Sequence, residues 1–324
     1  MANALKVIGN NIKIGNFQFG LKKDGTPNEV DKIVHDGDTV SLNTPLNFST
    51  RFLGIDTPEV SFPIRKKLPF VDLSKPEWTQ FFTSGEWENN FPVPPALRNH
   101  LIMRIGDGTK IAPNHDKHAK NAEDELEKMI KADLALATAQ TARTKDDFEF
   151  FLAFGYEFLD QYGRFLCYLS ADEANFNPKV RNPSYNEQQL ANGMAVPFFI
   201  YPNIQPFLSK PPFDKANLNP IGFWNNINGA GKLQAARKSV SDARTAKKGV
   251  FEVADPLILL PYELRFIARK DTKGPDRFVI DLGQSGSNII LKPEKYFKIK
   301  NYEDRLFIPK EFVPLFTTNG WQIQ

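Results

Sequence analysis

Cysteine is nearly absent from this 324-residue sequence: Cys167 is the only one. No intramolecular disulfide framework is possible, and one thiol in an apolar strand is ordinarily a core residue. Four histidines accompany it, with no Cys/His cluster of the kind zinc requires. His115 and His118, three apart ahead of a helical stretch, could bind a metal but read more simply as a solvated helix start. Charge of one sign is also scarce. Forty-one basic residues against thirty-eight acidic ones leave +3, so any footprint for a polyanion has to be local. No apolar run approaches a membrane span. The opening MANALKVIGNNIKIG lacks the charged segment and apolar run of a secretory signal. The expectation is therefore a cytoplasmic protein with no membrane partner. Its oligomeric state is not legible. Internal repeats and low-complexity tracts are missing too.

What is present is aromatic. Twenty-eight phenylalanines within a 41% apolar composition suit sheet packing. The length exceeds one average domain, so a core domain with substantial additions is expected. Residues 11–20 alternate around Gly15-Asn16, a hairpin signal in an N-terminal extension, 1–27. Residues 30–42 read as two strand segments broken at His35-Asp36-Gly37-Asp38, and 48–55 as a strand stopped by Asp56-Thr57-Pro58. The stretch 60–118 is proline-rich, with exposed-looking Trp78 and Trp87, and reads as an irregular insertion with one short helix and one hairpin. Its tryptophans could stack on bases or pack on the core. Helical spacing of Ala122, Leu126, Met129, Ile130, Leu134 and Ala137 predicts a helix over 119–138. A hairpin follows, 148–158 with 164–169, then a short helix near 186–193. A last helix spans 231–248, with Lys232, Arg237, Lys238, Arg244, Lys247 and Lys248 on a face that could track a nucleic-acid backbone but reads more simply as solvated. After Asp255-Pro256 the pieces look strand-like, and 255–324 reads as a β-rich C-terminal extension.

Chemistry concentrates in three places. Asp36-Gly37-Asp38-Thr39 sets two carboxylates around a flexible glycine. Asp56-Thr57-Pro58-Glu59 sets two more around a proline that restricts the Thr57 backbone. Carboxylates plus a fixed carbonyl are what a hard cation such as Ca2+ selects, although each motif alone is also an ordinary turn. Arg51, on the strand leading to Asp56, and Arg164, after a Tyr-Gly turn, offer planar guanidiniums matched to a phosphodiester. Acids for a metal with arginines for a phosphate suggest phosphodiester cleavage. Strict alternation puts Arg51 and Asp56 on opposite strand faces, so a bulge near Gly54 is required to join them.

In order, HDGDTVSL, RFLGIDTPE and DQYGRFLCY resemble the signature segments of the staphylococcal-nuclease (thermonuclease) family. NGMAVPFFIYPN (192–203) and KKGVF (247–251) are similar to later family segments. The resemblance covers roughly 28–60 and 115–254. It implies an α+β fold, a five-stranded OB-type β-barrel with packed helices over 28–254, interrupted by the 60–118 insertion. It further implies that Asp38 and Asp56 ligate calcium by side chain and Thr57 by its carbonyl, with Asp36 in support. Glu59 would be the general base, and Arg51 and Arg164 the phosphate binders. Tyr162, Phe199 and Tyr201 would contact the nucleotide. The implied reaction is calcium-dependent hydrolysis of DNA or RNA, preferably single-stranded, leaving 3′-phosphate and 5′-hydroxyl ends. A noncatalytic nucleic-acid or protein binding module is the alternative. The sequence departs from the family at Gln161, where a lysine is usual, at Phe199, where a tyrosine is, and at the insertion after Glu59.

Overall fold

The computed structural model describes residues 5–8, 11–14, 18–43, 47–65, 68–88, 91–141, 144–145, 148–160, 164–171, 182–269 and 274–324. The first half of the chain forms β1 (Leu5–Ile8), β2 (Asn11–Ile14), β3 (Gln18–Phe19), α1 (Val30–Ile33), β4 (Val34–Asp36), β5 (Thr39–Asn43), β6 (Asn47–Phe52) and β7 (Gly54–Asp56). The inserted stretch adds β8 (Ser61–Phe62), β9 (Val71–Asp72), α2 (Pro76–Thr83) and α3 (Pro95–Ile105), and α4 (Ile111–Thr141) follows. Then come β10 (Phe150–Leu159), β11 (Phe165–Ala171), α5 (Tyr185–Ala191), β12 (Val196–Ile200), α6 (Pro220–Gly229) and α7 (Gly231–Thr245). The last part holds α8 (Pro261–Ala268), β13 (Phe278–Asp281), β14 (Ile289–Ile290), β15 (Arg305–Ile308), α9 (Val313–Thr317) and β16 (Gln322–Ile323).

The fold is mixed α+β. Strands pair in the order β1-β2-β10-β11-β6-β5-β3, with β4 also on β5, and the sheet curls as a half-barrel of five strands. β11 runs parallel to β6, and the other neighbours in this sheet are antiparallel. A second sheet, β13-β15-β12-β7, begins where β7 leaves the first. The half-barrel interior is filled by Phe19, Phe52, Phe148, Phe150, Phe154 and Leu169, with Tyr185 and Leu190 from α5 and Leu126 and Ile130 from α4. The α5 start is fixed by a capping box, Ser184 with Glu187.

Several expectations need correction. The hairpin expected over 11–20 does not form: β2 pairs with β1 and β10, while β3 pairs with β5. Its Gly15-Asn16 turn lies outside the described residues. Val30–Ile33 is a helical turn rather than strand. The helix expected over 119–138 runs from Ile111 to Thr141. It tolerates Pro113 because a first-turn N–H has no intrahelical partner anyway. His115 and His118 are consequently buried inside α4, not solvated at its start.

The insertion is more regular than its prolines suggest. Pro76 and Pro95 each sit at the first helical position, where proline starts a helix rather than breaking one. Trp78 and Trp87 are buried, not exposed, and join Phe81, Phe82, Phe91 and Leu101 in a second core. That core also contains Leu259, Leu264, Ile267, Tyr296 and Phe307, so the insertion and the C-terminal segment bury their apolar faces against one another. The C-terminal segment itself is not β-rich as expected: α8, α9 and several 3-10 turns alternate with its short strands. Among the described residues, no helix is long and apolar enough to cross a membrane.

Candidate active site

The Asp36–Asp38 turn connects β4 to β5 and sits tightly against α4. A Cβ on Gly37 would lie 2.5 Å from Ala122 Cβ and 2.9 Å from Thr57 Cγ2. Only glycine permits that approach. Gln189 of α5 pins the turn by donating to the carbonyls of Gly37 and Ala122, each at 2.8 Å. The Asp38 N–H donates to Asp36 at 3.2 Å, and the Thr39 hydroxyl to Asp38 at 3.1 Å.

The second acidic pair depends on a break between β6 and β7. Leu53 interrupts the strand, and Gly54 takes φ +77°, a left-handed conformation that glycine adopts freely. Asn186 of α5 holds this break. Its amide donates to the carbonyls of Leu53 (2.9 Å) and Cys167 (3.0 Å) and accepts from the Leu169 N–H (3.0 Å). The irregularity required to unite Arg51 with Asp56 is thus present, and Arg51 Nη2 lies 3.3 Å from Asp56 and 3.8 Å from Asp38.

Both aspartates are buried, Asp38 at 3% and Asp56 at 0% exposure. They lie behind a cleft of about 840 Å³ lined by Asp36, Arg51, Glu59, Asp160, Arg164, Phe198, Ile200 and Arg265, and Arg51, which pairs with both, links them to it. Arg164 is held by Asp160, its Nε 2.7 Å from the carboxylate. Thr57 is buried beside the Gly37 turn. Glu59 is fixed through its backbone, because its N–H donates to His115 Nδ1 at 3.1 Å.

The residue that no motif announced is Arg265, on α8. It grips both oxygens of Asp56, at 2.8 and 2.7 Å, and reaches Glu59 at 2.6 Å. Nothing local in PYELRFIA marks it; only the tertiary fold carries it to a site more than two hundred residues away in sequence. Asn186 and Phe198 are similarly invisible as site residues without the fold, and His115 supports the Glu59 backbone rather than a metal or a solvated helix start.

Electrostatics separate the acids. Burial, reinforced by the Asp38 charge, pushes Asp36 well above the usual carboxylate range. Burial acts on Asp38 too, but the Arg51 charge and the Asp36 hydrogen bond outweigh it and hold Asp38 below that range. Burial raises Glu59 despite the opposing pull of Arg265 and Arg51. The two neighbouring carboxyls are thus set apart in proton affinity, Asp36 upward and Asp38 downward.

The expected nucleotide contacts fall out differently. Phe199 and Tyr201 point into the core, at 0% and 2% exposure, and the Tyr201 hydroxyl donates to the Pro212 carbonyl at 2.7 Å. Strand alternation instead turns Phe198 and Ile200 of β12 to the cleft. Tyr162 and Gln161 lie outside the described residues.

For a hard cation, the donor chemistry is suitable: the Asp38 and Asp56 carboxylates and the Thr57 carbonyl are all oxygen ligands. The Arg265 guanidinium occupies both Asp56 oxygens. A second cluster, His118 with Glu252 and Asp255, has ligand atoms within 4.8 Å of one another. It is satisfied internally: His118 Nε2 bonds the Asp255 carbonyl, and Lys117 pairs with both acids.

No family model matches the chain, and no curated protein matches it either. The case for function rests on the cleft.

Proposed function

We propose that this protein is a phosphodiesterase of the staphylococcal-nuclease type, hydrolysing DNA or RNA in the cleft lined by Arg51, Glu59 and Arg164. The observation that carries the reading is the convergence of Arg51, Glu59 and Arg164 on one cleft, with Arg51 paired to the two buried aspartates behind it. The same reading takes the curled half-barrel as part of an OB-type barrel, a scaffold suited to single strands.

In this reading Asp38, Asp56 and the Thr57 carbonyl hold Ca2+, which when bound supplies Lewis-acid stabilisation of charge on the phosphate. Arg51 and Arg164 bind the phosphate and stabilise the charge that builds on its oxygens. Glu59 accepts the proton of the attacking water. Its raised affinity for protons suits that task, since a base works best with a pKa near the working pH. Asp160 orients Arg164, and the His115 bond to the Glu59 N–H keeps the base in register. Products would carry 3′-phosphate and 5′-hydroxyl ends.

Arg265 favours a second reading, a noncatalytic nucleic-acid or protein binding module, because it neutralises the two acids on which catalysis depends. Incubating single-stranded DNA and RNA with the protein, in calcium and in chelator, separates the two. Calcium-dependent cleavage with 3′-phosphate ends supports the nuclease. DNA retention without cleavage in either buffer supports the binding module.

A further inference from the structure

Arg265 is delivered by a rigid support. The Glu263 carboxylate accepts from the Leu260 N–H at 2.8 Å, from Arg104 at 2.9 and 2.7 Å, and from the Tyr296 hydroxyl at 2.6 Å. Leu264, Phe266 and Ile267 on either side of Arg265 are buried in the second core. The helix therefore has no freedom to move Arg265 without disturbing the packing between the insertion and the C-terminal segment.

At its tip, the guanidinium meets Asp56 in two-pronged fashion and takes one Glu59 oxygen as well. Arg51 adds a further N–H to Asp56 Oδ1. Both oxygens of Asp56 are thus engaged by fixed positive charge. A divalent cation needs those same oxygens and would lie in contact distance of a guanidinium, where like charges repel strongly in a buried site.

We propose that Arg265 and a divalent cation are alternative occupants of the Asp56 carboxylate, so that the C-terminal segment controls loading of the site. This rests on the calcium reading above. In the arrangement seen, Arg265 supplies the positive charge that keeps buried acids tolerable. Cation binding then requires the side chain to swing off Asp56, or α8 to shift against the insertion.

Calorimetric titration of calcium into the full-length protein, into R265Q and into D56N tests the idea, with the folding of each checked by circular dichroism. R265Q is expected to bind calcium tighter than the unaltered protein by on the order of tenfold or more, the usual size of coupling between ligands. D56N, which lacks the shared carboxylate, is expected to bind calcium no tighter than the unaltered protein. Equal affinity in the unaltered protein and R265Q would overturn the inference while leaving the calcium reading intact. No uptake by either overturns both. Binding by D56N as tight as by R265Q would put the ion elsewhere and overturn the inference too. Should R265Q not fold, R265K gives the same comparison, because one ammonium cannot span both carboxylates.

Discussion

Single residues decide the chemistry, and their protonation makes two predictions. Glu59 must be ionised to take a proton, and burial raises its pKa above the ordinary carboxylate value. The rate should therefore climb as pH rises through that raised value and level off above it. A pH–rate profile flat from about pH 4 to 8 would remove Glu59 from the base role. His115 works in the opposite direction. Burial lowers its pKa from 6.5 to about 3, so the folded state disfavours the imidazolium that the unfolded chain accepts. The stability it permits is complete above about pH 6.5 and falls as pH drops towards about 3, by up to ~1.4 kcal/mol per unit. Thermal melts over that range should show His115→Gln flattening the acid side; an unchanged slope would contradict the assignment. These acids and arginines are legible in sequence because DGDT, RFLGIDTPE and DQYGR keep their chemistry within short segments. Arg265 is not, because what makes it a site residue is a contact between α8 and β7. Phe199 and Tyr201 were misread for a related reason: alternation along β12 fixes which faces point outward, but only the fold says which face meets the cleft.

At the level of elements, the site depends on one strand break and one helix. Gly54 at φ +77° lets β6 end and β7 begin with Asp56 turned to Arg51. Gly54→Ala should cost about 1–2 kcal/mol for the left-handed backbone alone. It also crowds the Tyr168 hydroxyl, 3.0 Å from the new Cβ. Chemical denaturation would measure the loss, and a variant as stable as the parent would mean that the break relaxes without glycine. Asn186→Ala removes an amide that serves three backbone groups across that break, leaving buried polar atoms unpaired. Sequence reasoning foresaw the break from the mismatch between strand alternation and the chemistry required, but it could not name Asn186 as its holder. It placed α5, α7 and the β10–β11 hairpin well, since their apolar spacing is regular. In the insertion, the expected short helix and hairpin are both there (β8 pairs with β9), but a second helix is missed, because prolines that begin helices look like prolines that prevent them. The basic face of α7 is solvated at Lys232 and Lys238, as are Lys247 and Lys248 just past its end, but not at its arginines. Arg237 donates to Asp304 and Arg244 to Glu303, so those charges tie α7 to the C-terminal segment rather than facing solvent.

For the whole molecule, the insertion and the C-terminal segment form one supporting body beside the half-barrel. Arg104 in the insertion and Glu263 in α8 are its polar link, with Glu263 fully buried. Arg104→Ala leaves that carboxylate without its cation and should destabilise the protein by about 3–5 kcal/mol, read as a lowered denaturation midpoint. Deletion of the insertion cannot be neutral in this arrangement, because it would strip the cover from Leu264, Ile267 and Tyr296. That mutual dependence is hidden in sequence, where Arg104 and Glu263 stand 159 residues apart. It also ties the catalytic reading to the state of Arg265, so activity has to be measured with and without that side chain. The deciding measurement is cleavage of single-stranded DNA in calcium by the unaltered protein and R265Q, each with and without Glu59→Gln. Calcium-dependent cleavage by R265Q at least, cut about a hundredfold or more by Glu59→Gln, is the predicted result. Absence of cleavage from both proteins, or cleavage undiminished by Glu59→Gln, would contradict the account.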